Sequence, residues 1–305
     1  MKSFHAVSAV ALLLGAVGMI SAQQKRAPEP VSWAPKQKPA QYTAGHKPIV
    51  KIADLLTKHK GQAEWRETIV NDDLFRAEYI SMAPGSKLSP RFHPDNRIWW
   101  VVRSGQIRFE IEGQEPFVAT KGSMVQVPMQ TIYSMEVVGD APALRFEVIP
   151  AKGRTLYPDN KALPSIAGVE FVPVRLNRRA HPYGYENKPH INMYELMKDP
   201  NYRGSRFVHD DRGVSNIIYG YEKNLPAYDP KALGHYHVES AEFWIILTGQ
   251  ISYTIETLDR IIADEGDVVY VPPFTYHNAR FYGEGPSTRL AINGYPDLGH
   301  LTDAH

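Results

Sequence analysis

Shifted by 144 residues, the chain falls on itself. Arg91 to Met135 aligns with His235 to Ala279 without a gap, and 13 of the 45 positions are identical. Ile98-Trp99-Trp100-Val101-Val102-Arg103-Ser104-Gly105-Gln106-Ile107 lies on Glu242-Phe243-Trp244-Ile245-Ile246-Leu247-Thr248-Gly249-Gln250-Ile251. Further on, Gly122 meets Gly266, Val127 meets Val271 and Pro128 meets Pro272. Solenoid repeats recur every ~20–50 residues, so a period this long means two copies of a whole domain. Each copy is built of short runs rich in Val, Ile, Tyr, Phe and Trp, broken every 8–12 residues by Gly, Pro, Asn or Asp. That spacing predicts an all-β fold of two small barrels in tandem. Runs such as Trp99–Val102 and Phe243–Leu247 read as strands buried on both faces, and Ser104-Gly105 and Thr248-Gly249 as hairpin turns.

Outside the repeat, residues 1–22 read as a signal peptide: Lys2, then an apolar stretch from Ala6 to Ile20, then Ser21-Ala22 as a cleavage site. The stretch is shorter than the ~20 residues of a membrane span, so the mature chain is expected in the periplasm or outside the cell and not in a membrane. Residues 23–48 carry Pro28, Pro30, Pro35, Pro39 and Pro48 and are expected to be a disordered arm. The N-terminal barrel is placed at 49–150, opening with a helix between Ile49 and Gln62. A connecting segment follows at 151–205, with a short helix near Met193–Met197, and the C-terminal barrel occupies 206–305.

Composition narrows the chemistry. With 34 Lys+Arg against 33 Asp+Glu, the chain lacks the basic excess of a nucleic-acid binder. With no cysteine, disulfides, thiolate nucleophiles, zinc ribbons and iron–sulfur clusters are excluded together. Any metal must be held by His, Asp, Glu or Tyr.

The second copy offers such a set. His235 and His237 are two apart, so on a strand they project to one face with Cα atoms about 6.6 Å apart. Glu242 opens the next strand, and His277 follows a third. Three imidazoles and a carboxylate leave one or two positions open on a divalent ion. The spacing His-x-His-x4-Glu-x6-Gly, then Gly-x5-Pro-x4-His, resembles the two signature motifs of the cupin superfamily, over most of residues 70–150 and 210–295. The resemblance implies tandem jelly-roll barrels and one divalent ion (Mn, Fe, Ni or Cu) on His235, His237, Glu242 and His277. Two positions depart from the pattern: Phe274 stands where family members usually have Gly, and Phe281 where they usually have Asn. By strand parity from Glu242, Trp244 and Ile246 should face inward beneath the metal.

In the first copy only one ligand type survives: Arg91, His93, Ile98 and Tyr133 take the four places. The N-terminal barrel is therefore expected to hold no metal. Among two-barrel members the chain looks most like the oxalate decarboxylase and quercetin dioxygenase groups. This implies an exported metal-dependent oxidoreductase, of dioxygenase or decarboxylase type, acting on a small organic acid or phenolic compound. Glu242, Tyr253 and Arg280 are the candidates for acid–base work or substrate contact, and Glu239, Asn278 and Arg280 for groups that orient the ligands. The alternative is a non-catalytic or isomerase-like protein that uses the metal to orient a sugar or small acid. Two-barrel cupins often assemble further, so a homo-oligomer is compatible with either reading.

Overall fold

The structure is a computed structural model in which residues 31–294 and 300–304 are described. The signal-peptide reading of residues 1–22 and the first part of the proline-rich arm lie outside the described residues. Among the described residues no helix is long and apolar enough to cross a membrane.

From Lys36 onward the chain forms two β-barrels of matching topology, each a six-stranded sheet facing a smaller one. In the N-terminal barrel the large sheet runs His190–Asn192, Ser123–Val127, Ile98–Ser104, Ala143–Pro150, Phe75–Met82, Trp65–Asn71. The small sheet runs Lys87–Arg91, Tyr133–Val137, Ile107–Ile111, Phe117–Ala119. The C-terminal barrel repeats this order, with Ile49–Val50, Val268–Val271, Glu242–Thr248, Pro286–Gly294, Gly213–Tyr221 and Gly204–His209 in its large sheet. Its small sheet is Ile261–Asp264, Gln250–Ile255, His277–Tyr282, His235–Tyr236 and, as an extra edge strand, Leu301–Thr302.

The continuous apolar runs are explained by burial on both faces. Trp100 and Val102 point into the N-terminal barrel, and Trp244 and Ile246 into the C-terminal one. Their neighbours Trp99, Val101, Phe243 and Ile245 point the other way, into a third core where the two large sheets pack on each other. Phe75 sits there between Trp99 and Phe243, with ring centroids 5.8 and 6.0 Å away. Polar ties cross the same interface: Tyr79 donates to the Gly266 carbonyl at 2.5 Å, and Arg103 pairs with Glu265 at 3.0 Å.

Two boundaries differ from the sequence reading. Ile49–Val50 is a strand, not the start of a helix, and it belongs to the sheet of the C-terminal barrel, where Ile49 pairs with Val269. The helix is confined to Ile52–Lys58. Reciprocally, His190–Asn192 from the connecting segment joins the N-terminal sheet, with His190 opposite Val125, and a helix Met193–Leu196 follows. The start of the N-terminal half thus lends a strand to the C-terminal barrel and the connecting segment lends one to the N-terminal barrel, each followed by a short helix. The exchange explains why Gly122 and Gly266 recur: a Cβ at Gly122 would strike Tyr194, and one at Gly266 would strike Ile52. Nor is the proline-rich stretch free along its described length from Lys36. Lys36 donates to the Phe274 carbonyl at 2.6 Å, Tyr42 to the Tyr270 carbonyl at 3.0 Å, and His46 stacks on Tyr270 at 4.5 Å. Its aromatic and charged side chains anchor it to the C-terminal barrel, which proline content alone does not reveal.

Candidate metal centre

Four side chains meet at one end of the C-terminal barrel. The edge strand His235–Tyr236 pairs with His277–Tyr282, so that His235 lies opposite His277, while Glu242 opens the central strand of the large sheet. One ligand atom from each of His235, His237, Glu242 and His277 lies within 4.8 Å of all the others. The three Nε2 atoms converge on a single oxygen, Glu242 Oε2, at 3.6, 2.9 and 3.0 Å. His237, Glu242 and His277 are buried, and His235 is the most accessible of the four.

The donor set fits a divalent cation on two observations. First, His235 Nε2 is buried yet has no hydrogen-bond partner, although it faces the cluster; such an orphan is costly unless something binds it. Second, His277 Nδ1 lies 2.9 Å from the Thr275 carbonyl. Donating its proton there leaves Nε2 as the lone-pair nitrogen that a metal requires. Burial alone would raise the Glu242 carboxyl, but the three facing imidazoles outweigh it and hold Glu242 well below the usual carboxylate range. Burial also lowers His277, against the pull of Glu242. Ligation needs an anionic carboxylate and neutral imidazoles, and the two directions favour those forms of Glu242 and His277.

The loop before His277 keeps its shape despite Phe274. That residue adopts φ +59°, and its N–H donates to the His237 carbonyl at 2.7 Å. Gln130, 144 residues earlier, does the same, with φ +59° and a 2.6 Å bond to the His93 carbonyl. Left-handed backbone strains a residue with a side chain, and here the retained hydrogen bond to a ligand strand offsets it. On the opposite side, Gly234 has φ +83°, and a Cβ there would collide with the His277 carbonyl. Gly234→Ala is expected to destabilise the fold by more than about 1 kcal/mol and to lower metal content. Chemical denaturation and elemental analysis check the two effects.

Beneath the ligands the interior is lined mainly by apolar side chains. Trp244 lies 5.3 Å from His277 and 5.1 Å from Tyr253, with Ile246, Val269 and Ala291 around them. Tyr253 faces inward and is fully buried. Arg280 takes the opposite parity from His277: its guanidinium donates to the Pro226 carbonyl at 2.5 Å and lies over Tyr228. Glu239 is exposed. The group that orients His277 is a backbone carbonyl, and Asn293, from the large sheet, brings its amide to 3.4 Å from His237 Nε2.

One residue escaped sequence reasoning. The edge strand Leu301–Thr302 runs beside His235–Tyr236 and carries His300 to the cluster, its ring 4.6 Å from His235 and 4.7 Å from His237. No spacing rule links it to the motif.

The corresponding end of the N-terminal barrel is differently filled. His93 is buried with both ring nitrogens engaged, Nδ1 by the Arg154 carbonyl at 2.8 Å and Nε2 by the Tyr133 hydroxyl at 3.1 Å. Arg91 turns to the Ser89 carbonyl and the Tyr157 ring. His190 is half-buried and stacks on Phe117 at 4.5 Å.

Residues 78–149 and 225–293 each match the family description "Cupin domain". Among solved structures, a salicylate 1,2-dioxygenase from Pseudaminobacter salicylatoxidans is 9% identical with a TM-score of 0.59, the alignment covering 86% of each chain. A cupin 2 conserved barrel domain protein from Leptotrichia buccalis is 13% identical with a TM-score of 0.50, covering 88% of this chain and 99% of that one. An oxalate decarboxylase from Lactobacillus farciminis is 14% identical with a TM-score of 0.49, covering 79% and 84%. No curated protein sequence matches the chain. At such identities the likeness is one of fold. Two matched domains, matching barrel topology and a His3Glu cluster at the motif positions make this chain a two-barrel member of the cupin superfamily.

Proposed function

We propose that the protein is an exported, metal-dependent oxidoreductase of dioxygenase or decarboxylase type, acting on a small organic acid or phenolic compound in the C-terminal barrel. The observation that carries this reading is the convergence of three imidazoles on one buried carboxylate above an apolar interior. An ion held there would supply Lewis acidity and a template for an oxygen-bearing substrate. The chain's own residues do the rest. Glu242 offers its carboxylate, the Thr275 carbonyl orients the His277 ring, and Trp244 and Ile246 line the floor of the site. Export rests on the charged, apolar and small-residue sequence of residues 1–22, and it places the mature protein in the periplasm or medium.

The test uses the purified mature chain, with metal quantified by elemental analysis. Oxygen uptake and carbon dioxide release are then followed across a panel of phenolics and organic acids. Turnover that is lost in His277→Ala and kept in Arg91→Ala supports the reading. Stoichiometric metal with ligand binding, but neither oxygen consumption nor carbon dioxide release anywhere in the panel, replaces it with a binding protein.

A further inference from the structure

The two barrels differ in how they treat an arginine that points inward. The register of the large sheets is the same in both: Arg145 pairs with Val102, and Arg289 pairs with Ile246, each 144 residues further on. In the N-terminal barrel, buried Arg145 lies 3.5 Å from the Glu147 carboxylate, which also accepts from Trp100 Nε1 at 2.7 Å. Glu147 is two residues along, so it shares the inward face. In the C-terminal barrel its place is taken by Ala291. Arg289 keeps the charge and has lost the counterion.

What surrounds Arg289 does not replace it. Its Nε and Nη1 are buried without a hydrogen-bond partner, and its guanidinium lies 5.5 Å over the Phe281 ring. No carboxylate among the described residues forms an ion pair with it. The Tyr253 hydroxyl, also buried in this interior, has no partner either. Tyr253 follows Ile251 on the inward face of its strand, and Ile251 pairs with Phe281, the ring that Arg289 covers, so the two groups border the same interior. A buried guanidinium and a buried hydroxyl with nothing to bond are expensive, whereas a carboxylate accepts from both at once. As a residue Arg289 is only partly buried.

We propose that Arg289 and Tyr253 form an anion subsite inside the C-terminal barrel, which takes the carboxylate of the acid substrate where the N-terminal barrel carries its own Glu147. The inference rests on the metal-centre reading and narrows its substrate class to acids. Arg289 is four residues from Asn293, whose amide reaches His237, and at about 3.3 Å per residue these positions are ~13 Å apart along the strand. The anion subsite is therefore displaced along the strand from the metal cluster.

The probes are sodium benzoate and the neutral isostere benzamide, titrated calorimetrically into the metal-loaded protein. Benzoate is expected to bind wild type at least about tenfold more tightly than benzamide, in line with the greater strength of charge-assisted bonds. R289Q is expected to weaken benzoate binding by about tenfold or more while metal content stays the same, and Y253F to weaken it by a smaller factor. A291E, which rebuilds the internal carboxylate, is expected to abolish benzoate binding and raise Tm. Should A291E fail to fold, R289Q and Y253F decide the matter alone. Equal affinities for benzoate and benzamide, or benzoate binding indifferent to R289Q, would overturn the subsite. So would phosphate or chloride bound tightly enough to exclude benzoate, which would assign the place to a resident inorganic ion. If the purified protein holds no metal yet binds benzoate through Arg289, the subsite stands and the metal-enzyme reading falls; metal present with R289Q silent gives the reverse.

Discussion

Replacing His277 with alanine is expected to take the purified protein from stoichiometric metal to a trace, while His93→Ala leaves metal content as it was. Both histidines are buried, so the contrast lies in what each ring nitrogen faces. His277 Nε2 lies 3.0 Å from Glu242 Oε2, in a cluster where His235 Nε2 has no hydrogen-bond partner. His93 Nε2 is met by the Tyr133 hydroxyl, and Tyr133 stands where His277 stands in the other barrel. Losing a group that merely orients a ligand costs roughly 10–100-fold in metal affinity. Removing the ligand itself should exceed about 100-fold, and elemental analysis after gel filtration is enough to see it. His235→Ala and His237→Ala should behave as His277→Ala does. Metal retained in all three variants would mean that the cluster is not the binding site; metal lost in His93→Ala would mean that the N-terminal barrel holds an ion.

This contrast was legible in the sequence because strand ligation imposes strict rules. Side chains two apart share a face, so His235 and His237 had to act together. The 144-residue offset then turned each ligand into a question about its counterpart. The same parity rule puts Trp244 and Ile246 on the barrel floor, but the expectation of Arg280 as a substrate contact did not use it, and Arg280 lies on the face opposite His277. Other features lay outside local rules. Nothing in Ile49–Val50 states which barrel it will join, since either sheet offers an edge and the choice is made by tertiary packing. Only afterwards does the kinship of Ile49-Val50-Lys51-Ile52 with His190-Ile191-Asn192-Met193, at matching positions on Val269 and Val125, become apparent. His300 reaches the cluster through the edge strand that follows it, a contact that no fixed spacing encodes. Arg289 left a signal: the repeat continues without a gap to Arg145 and Arg289, and there Glu147 gives way to Ala291.

The same comparison singles out Glu147 in the N-terminal barrel. Glu147→Ala is expected to cost about 3–5 kcal/mol, the usual penalty for removing one partner of a buried ion pair, with Trp100 Nε1 losing its acceptor as well. Arg145 is 1% exposed. Its ordinary pKa is high enough that it stays charged although burial pulls it down. The pair should also govern the acid limb of stability. Burial alone would raise the Glu147 carboxyl, but Arg145 and the Trp100 hydrogen bond outweigh it and depress the folded-state pKa. A depressed carboxylate contributes stability that is fully present above the unfolded value, about 4.3. The contribution falls away as pH drops through the folded value below it. Urea denaturation of wild type and Glu147→Gln should therefore differ at pH 7 and converge as pH drops well below about 4. The pair itself is replaceable. In Arg145→Met/Glu147→Leu neither charge is left alone, and the double variant is expected to recover most of what Glu147→Ala loses. If the double variant is as unstable as the single one, the cost of Glu147→Ala comes from lost packing and not from a stranded guanidinium. The case that Arg289 seeks an external carboxylate would weaken with it.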